Sequence, residues 1–165
     1  MKVTGTFLVK NCSPAGLALG PRHEALLGCS AAFGTPATTQ SVIIDITSTD
    51  FTLDGAVVAT VPIGGSDEVW YDKGTRHYFL AARSNTDKTG KLTPILGSID
   101  AVTNKLDPSV PSSTTSHSVA ADKNSHYVFL PVGLLPANAT APDPNNPLPA
   151  GRLHRGLSGA ARTQR

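Results

Sequence analysis

The chain has 165 residues, with 14 lysines and arginines against 12 aspartates and glutamates, 16% charged residues, 15 glycines and 13 prolines. A helical bundle or coiled coil needs abundant charged and straight-chain residues, so this composition disfavours both and favours short strands joined by turns. The formal charge of +2 includes four arginines in the last fifteen residues. The rest of the chain therefore offers no continuous positive surface for nucleic acid, and we predict no nucleic-acid partner.

Short segments rich in valine, isoleucine and leucine follow one another along the chain. Each is bounded by Gly, Pro, Asn or Asp, which is typical of strands and turns. No segment has the eighteen or so uninterrupted apolar residues of a membrane-spanning helix, and the first residues are too polar for an export signal. The predicted strands lie within residues 14–20, 26–29, 41–45, 56–62, 66–72, 78–82, 95–100, 105–111, 116–122 and 127–132.

These segments repeat with a period of about fifty residues. Leu17 and Val69 are 52 positions apart, and Val69 and Val119 are 50 apart. Each repeat begins with an apolar strand, a polar turn and a second strand, and the first two repeats add a third and a fourth strand. Tandem units of four short antiparallel strands are typical of β-propeller blades. We therefore predict an all-β protein of antiparallel four-stranded blades.

The repeats also predict the domain organisation. Blade repeats start near residues 14, 66 and 116, and residues 6–9 match the last strand of a preceding blade. Residues 1–133 are thus expected to form a partial β-propeller with two complete blades and parts of two others. Residues 134–165 contain prolines and arginines without an apolar period, so we predict a flexible, disordered C-terminal tail.

The second and third repeats resemble a known family. Residues 95–105, which begin Ile-Leu-Gly-Ser-Ile-Asp and continue Ala-Val-Thr-Asn-Lys, are followed by a strand, a proline and then residues 117–122. This pattern resembles the bacterial YVTN-type β-propeller repeat, which is related to the NHL and YncE-like propellers. The resemblance covers about residues 3–133 and implies a several-bladed disc in a periplasmic or secreted protein. It implies little about activity, because one fold serves many functions.

Asp67, Glu68 and His117 are the candidate ligand-binding residues. In a propeller the first strand of each blade lines the central channel, and these residues fall where two such strands begin. Carboxylates and an imidazole would suit a cation or an acid/base pair, although adjacent residues of a strand point to opposite sides, so only Asp67 or Glu68 would face the channel. The alternative is that all three are ordinary surface residues. We predict no catalytic residue and no metal ligand set.

Four other features of the sequence are interpreted mainly as structural. Cys12 and Cys29 would approach each other across a hairpin, so they form either a disulfide or two reduced, half-buried thiols. Trp70 is interpreted as a packing residue of a channel-lining strand, with an aromatic ligand platform as the alternative.

His77 and His126 each precede a tyrosine, which indicates a common role in stabilising turns. Recurring aspartates are expected to bind turn amides through their side chains: Asp45, Asp72, Asp100 and Asp122.

Three functions remain open on the sequence alone. The first is a non-enzymatic binding or interaction module, associated with the cell envelope if the family resemblance extends to location, with an unknown protein or small-molecule ligand and no cofactor. The second is a lactonase-like hydrolase that uses a divalent cation at Asp67, Glu68 and His117. The third is a truncated propeller fragment without its own activity. Open blade edges predict self-association in each case.

Overall fold

The protein is all-β in the part of the chain that the structure describes. The structure is a computed structural model and describes residues 2–30, 40–132 and 154–156. Twelve strands occupy these ranges, and no helix long and apolar enough to cross a bilayer occurs among the described residues. The strands are β1 (Ser13–Leu19), β2 (Glu24–Ser30), β3 (Ser41–Asp45), β4 (Val57–Val61), β5 (Val69–Asp72), β6 (His77–Ala82), β7 (Ile95–Asp100), β8 (Lys105–Leu106), β9 (Val110–Pro111), β10 (Ala120–Ala121), β11 (Val128–Leu130) and β12 (His154–Gly156).

The strands form three antiparallel sheets. Sheet A has the order β1-β2-β3-β4, and sheet B has the order β5-β6-β7-β8 with β9 also paired to β7. Sheet C has the order β10-β11-β12. Sheet A, strands β5 to β8 of sheet B and the hairpin of β10 and β11 pair successive strands in chain order, as expected of an antiparallel meander. The prediction of an all-β chain with antiparallel sheets is confirmed.

Three predicted strands differ most from the structure, and one of them, 116–122, forms a strand only at Ala120–Ala121. The segment 105–111 is divided into β8 and β9, because Pro108 cannot donate a ladder hydrogen bond and the Asp107 amide binds the Ser98 carbonyl at 2.9 Å instead. Residues 6–9 form no strand. They form part of an N-terminal segment, here defined as residues 2–12, in which the Leu8 carbonyl accepts a 2.9 Å hydrogen bond from the Asp54 amide.

Three hydrophobic clusters hold the sheets together. Leu26 and Ile43 of sheet A pack with Tyr78 and Ile99 of sheet B in one buried cluster. A second cluster joins the other face of sheet B to sheet C. The third lies on the other face of sheet A, where Phe7, Val9 and Cys12 of the N-terminal segment cover Ala25, Leu27, Val42 and Ile44. Burial of these apolar faces, at about 25 cal/mol per Å² of area removed from water, is what stacks the sheets in series.

The predicted flexible tail, residues 134–165, lies outside the described residues except for His154–Gly156. These three residues form β12 and pair antiparallel with β11, with Phe129 opposite Arg155. The sequence pattern did not predict this strand. The third strand of sheet C therefore comes from a distant part of the chain, whereas sheets A and B take theirs from the residues that follow directly.

Candidate functional site

The first strands of the three sheets lie next to one another. Gly16 of β1 approaches the backbone of residues 67–69, where a methyl group in place of its hydrogen would lie 2.9 Å from the Val69 nitrogen. Glycine is therefore needed for this close contact between β1 and the start of β5. A groove of about 430 Å³ lies between the two strands and is lined by residues 15–19 and 67–71. We call it the inner groove.

The inner groove exposes large apolar side chains. Leu17 is 57% exposed, Leu19 is 61% exposed and Trp70 is 42% exposed, whereas Ala18 between the two leucines is buried in the core. Alternation along β1 turns one face to the core and the other to the groove. The interpretation of Trp70 as a packing residue is therefore wrong for this structure, because its indole remains accessible in the groove while the neighbouring Val69 is buried.

Asp67 and His117 lie in contact. The His117 Nδ1 is 2.8 Å from the Asp67 Oδ2, and the Arg83 Nε donates a hydrogen bond to the same oxygen. Asp67 precedes β5, Arg83 follows β6 and His117 precedes β10, so this group of three joins sheet B to sheet C. The His117 side chain is 60% exposed. A carboxylate bound at Nδ1 orients the imidazole, and an arginine on the same carboxylate compensates its charge.

Glu68 is not part of this group. Its backbone carbonyl accepts a 3.0 Å hydrogen bond from the Ala81 amide, and the residue lines the inner groove next to Asp67. The described residues contain no group of three or more His, Cys, Asp or Glu side chains that would hold a metal ion. Asp67, Glu68 and His117 thus do not combine into the ligand set that the hydrolase interpretation requires.

Arg83 was missed by the sequence analysis, although the hairpin register contains the signal. The Asp67 amide donates to the Ala81 carbonyl, so the residues after β6 lie opposite the residues before β5. Because Ala81 lies opposite Asp67 across the hairpin, Arg83, two residues further along the chain, is also near Asp67. An arginine in that position compensates the charge of the partly buried Asp67 carboxylate.

Cys12 and Cys29 form a disulfide, with their Cα atoms 4.9 Å apart. The hairpin register explains the proximity, because Pro14 of β1 lies opposite Cys29 of β2. The bond fixes the end of the N-terminal segment to sheet A, so that Phe7 and Val9 stay over its apolar face. Both cysteines belong to the cluster on that face, far along the chain from Asp67 and His117.

A second carboxylate and histidine pair lies at the opposite end of β5. The Asp72 Oδ2 is 2.9 Å from the His126 Nδ1, and Asp72 also accepts hydrogen bonds from the amides of Gly74 and Thr75 and from the Thr75 hydroxyl. Burial acts to raise the pKa of Asp72. The Thr75 and Gly74 hydrogen bonds and the His126 charge outweigh it and hold the pKa below its usual value of 3.8.

The turn aspartates share this pattern in all three sheets. Asp122 accepts hydrogen bonds from the amides of Ser125 and Asn124, and these hydrogen bonds lower its pKa. The expectation that these side chains bind turn amides is confirmed for all four positions: Asp45 to Thr47, Asp72 to Gly74 and Thr75, Asp100 to Val102 and Thr103, and Asp122 to Asn124 and Ser125.

The two predicted turn histidines are not equivalent. Tyr127 lies opposite Asp122, since the Asp122 amide donates to its carbonyl, and His77 lies opposite Asp72. His126 therefore corresponds to Arg76, and both adopt a φ of 58°. His77 instead contacts the Thr75 carbonyl at 2.7 Å and the Asp107 carboxylate at 3.2 Å. The common role predicted for His77 and His126 is wrong, because one stays within sheet B and the other reaches it from sheet C.

Comparisons with known proteins identify a fold but not a family. No family model matches the sequence, and no curated protein matches it. A chain of the Kuenenia stuttgartiensis hydrazine synthase has a TM-score of 0.51 and 16% identity, over 78% of this chain and 35% of that one. A eukaryotic initiation factor has a TM-score of 0.49 and 16% identity, over 80% of this chain and 28% of that one. This chain spans about a third of the length of either.

The likeness is one of fold. At 16% identity, the arrangement of strands shared with the hydrazine synthase chain says nothing of substrate or partner. The residues that line the inner groove, together with the adjacent contact between Asp67 and His117, therefore define the candidate site.

Proposed function

We propose that the chain is a segment of a β-propeller that serves as a binding module, with a polypeptide partner in the inner groove. The blade interpretation is supported by sheets A and B, which each align four consecutive antiparallel strands and pack face to face. It is supported further by sheet C, which covers the other face of sheet B. Serial stacking of this kind is what blades do around a channel.

The observation that carries the binding role is the exposure of Leu17, Leu19 and Trp70 in one groove. The alternate residues of the same strands, Ala18 and Val69, are buried. Leaving leucine and tryptophan side chains in water forgoes the stabilisation that burial gives, on the order of 1.5–3 kcal/mol for each large apolar side chain. Exposed large apolar side chains that line one groove are typical of interaction sites.

The edges of the groove favour an extended peptide. β1 and β5 are each the first strand of their sheet, so in the described sheets each has one edge without a neighbouring strand. Free backbone amides and carbonyls on such an edge bind an added strand, and side-chain pockets then select its sequence. Glu68 contributes a negative charge at one end of the groove. Arg83 compensates the negative charge of the adjacent Asp67. We infer that the peptide combines apolar side chains with a lysine or arginine.

A display library of short random peptides tests this proposal. The expected result is enrichment of sequences that place leucine or an aromatic residue near a basic one, with affinity lost in Leu17→Ser and Leu19→Ser and weakened in Glu68→Gln. Val58→Ser is the matched control, since Val58 is 49% exposed on β4, outside the inner groove. Binding peptides that tolerate both leucine substitutions, or a library without enrichment, would contradict the proposal.

Self-association is a second part of the same proposal. A blade arrangement gives every sheet two neighbours, and the hydrophobic cluster of sheet C joins it to sheet B. A second copy of the chain would supply the other neighbour. Light scattering with circular dichroism is the test: a folded dimer whose population rises with concentration supports it, and a folded monomer at every concentration contradicts it.

The hydrolase interpretation has less support. Asp67 and His117 are in contact, as the two members of an acid/base pair would be. Glu68 is not part of this contact, and the Arg83 Nε donates a hydrogen bond to the same Asp67 oxygen that His117 contacts. The binding role therefore remains the function that the geometry supports best.

A further inference from the structure

A second groove, with a volume of about 550 Å³, lies on the other side of Trp70, between β5 and β10. We call it the lysine groove, because two lysines lie along its rim. Its floor is apolar and its walls come from both sheets B and C. It is lined by Trp70, Tyr71, Asp72, Lys73, Gly74, Ala121 and Lys123.

The two lysines occupy equivalent places in successive repeats. Lys73 follows Asp72 at the end of β5, and Lys123 follows Asp122 just after β10. Each lies in a turn that its aspartate fixes through backbone amides. Both side chains are exposed, and across the described ranges neither ammonium group forms an ion pair or a hydrogen bond.

The one carboxylate that lines the lysine groove does not neutralise these lysines. Asp72 is only 4% exposed, and its oxygens accept hydrogen bonds from Gly74 and Thr75 and contact His126. Its charge is directed into the turn and toward sheet C. The open side of the groove therefore carries two uncompensated positive charges, which attract an anion.

Trp70 supplies a planar apolar surface next to these charges. Its indole is 42% exposed and lines the lysine groove as well as the inner groove. Tyr71 beside it is held by packing against Tyr78, with ring centroids 5.0 Å apart. An accessible indole favours stacking of an aromatic ring, and the lysines favour a negatively charged substituent on that ring.

We propose that the lysine groove binds a small organic anion, an aromatic ring that carries a phosphate or carboxylate group. The ring lies against Trp70 and the anionic group lies between Lys73 and Lys123. This site is separate from the proposed peptide site: it takes the opposite charge, and it is lined by β5 and β10 rather than by β1 and β5.

Trp70 is the single tryptophan of the chain and lines both grooves, so its fluorescence reports on ligands in either, and the variants below assign the signal to the lysine groove. The experiment titrates the protein with phenyl phosphate, and with benzyl alcohol as a neutral ring. The expected result is saturable quenching or enhancement by phenyl phosphate with an affinity roughly tenfold above that of benzyl alcohol, as two solvent-exposed ion pairs provide. A titration with carboxylate-bearing phenylacetate distinguishes the two anionic groups. The added affinity should fall as salt is raised.

The decisive variant is Lys73→Gln with Lys123→Gln, which is expected to reduce the affinity for phenyl phosphate roughly tenfold and to leave that for benzyl alcohol unchanged. Lys88→Gln with Lys91→Gln is the matched control, because it removes the same charge from exposed residues that do not line the groove. Circular dichroism verifies that both variants fold.

Two results would overturn the proposal: equal affinities for phenyl phosphate and benzyl alcohol, or equal loss of affinity in the two double variants. Leu17→Ser separates it from the peptide site, since that substitution is expected to abolish peptide binding and to leave phenyl phosphate binding intact. Failure of one site is therefore distinguishable from failure of the other.

Discussion

Asp72 and His126 join two neighbouring sheets, with the Asp72 Oδ2 2.9 Å from the His126 Nδ1. Asp67 and His117 make the same kind of contact at 2.8 Å at the other end of β5. Asp67 precedes β5 and Asp72 ends it, whereas His117 precedes β10 and His126 lies in the turn between β10 and β11. Sheet C is thus attached to sheet B at two ends by polar pairs, with the cluster around Phe79 and Val128 between them. This arrangement fixes the walls of the lysine groove.

The buried turn of Asp72 is expected to contribute more stability than its exposed counterpart. Asp72→Ala removes a buried carboxylate that accepts hydrogen bonds from the amides of Gly74 and Thr75 and contacts His126, and hydrogen bonds to a charged group contribute about 1.5–3 kcal/mol. Asp122→Ala removes the same interactions from an exposed turn, where water replaces them. Urea denaturation should therefore show the larger loss for Asp72→Ala. Equal losses would contradict a special role for the buried pair.

Gly74 is predicted to be required because the His126 ring lies against it. A methyl group at position 74 would overlap that ring, so Gly74→Ala should displace His126 and cost about 1–3 kcal/mol, as overpacking does. In a double-mutant cycle the cost should largely disappear when His126→Ala is already present, because the overlapping ring is gone. Thermal unfolding of the four proteins measures this coupling. Additive effects would show that the glycine is needed for another reason.

Stability is expected to decrease in acid through Asp72. Burial acts to raise its pKa, but the Thr75 and Gly74 hydrogen bonds and His126 lower it below the usual 3.8. Because the folded pKa lies below the unfolded one, the stabilisation is complete above about pH 5 and is lost as the pH falls through 3.8 toward the folded pKa. Urea midpoints measured from pH 5 downward should fall less in Asp72→Asn than in the native protein. Parallel curves would refute the assignment to Asp72.

The sequence predicted the strands well because their signals are local. Alternating or continuous apolar residues between turn formers located β2, β3, β6 and β7, and the fifty-residue period located the turn aspartates. Contacts between sheets were harder to predict. His126 and Asp72 are 54 positions apart, and only the hairpin register shows that His126 matches Arg76 rather than His77. The position of Trp70 in a channel-lining strand predicts a packing role, because large rings commonly fill space there, yet its side chain lines two open grooves.

The disulfide is expected to hold the N-terminal segment in place. Cys12 and Cys29 are 17 positions apart, and closing a loop of this length stabilises a protein by about 3 kcal/mol. Reduction, or Cys12→Ser with Cys29→Ser, should lower the melting temperature and speed tryptic cleavage after the exposed Lys10, because its backbone is released when Phe7 and Val9 leave sheet A. The double variant should not respond to a reductant. Unchanged cleavage at Lys10 after reduction would show that apolar packing alone retains the segment.

The leucines of the inner groove are expected to contribute almost nothing to the stability of the free protein. Leu17 and Leu19 are 57% and 61% exposed, so Leu17→Ser and Leu19→Ser should each change the free energy of unfolding by less than about 0.5 kcal/mol, the usual range for exposed positions. Leu26→Ala is the contrasting control, because Leu26 is fully buried between sheets A and B and its truncation should cost about 2–5 kcal/mol. Denaturant titration of the three variants measures both effects. A large loss at Leu17 or Leu19 would mean that these side chains are buried in solution, against another part of the chain or against a second copy. A small loss of stability would show that both side chains are exposed in the free protein, and the proposed peptide site requires that they be exposed.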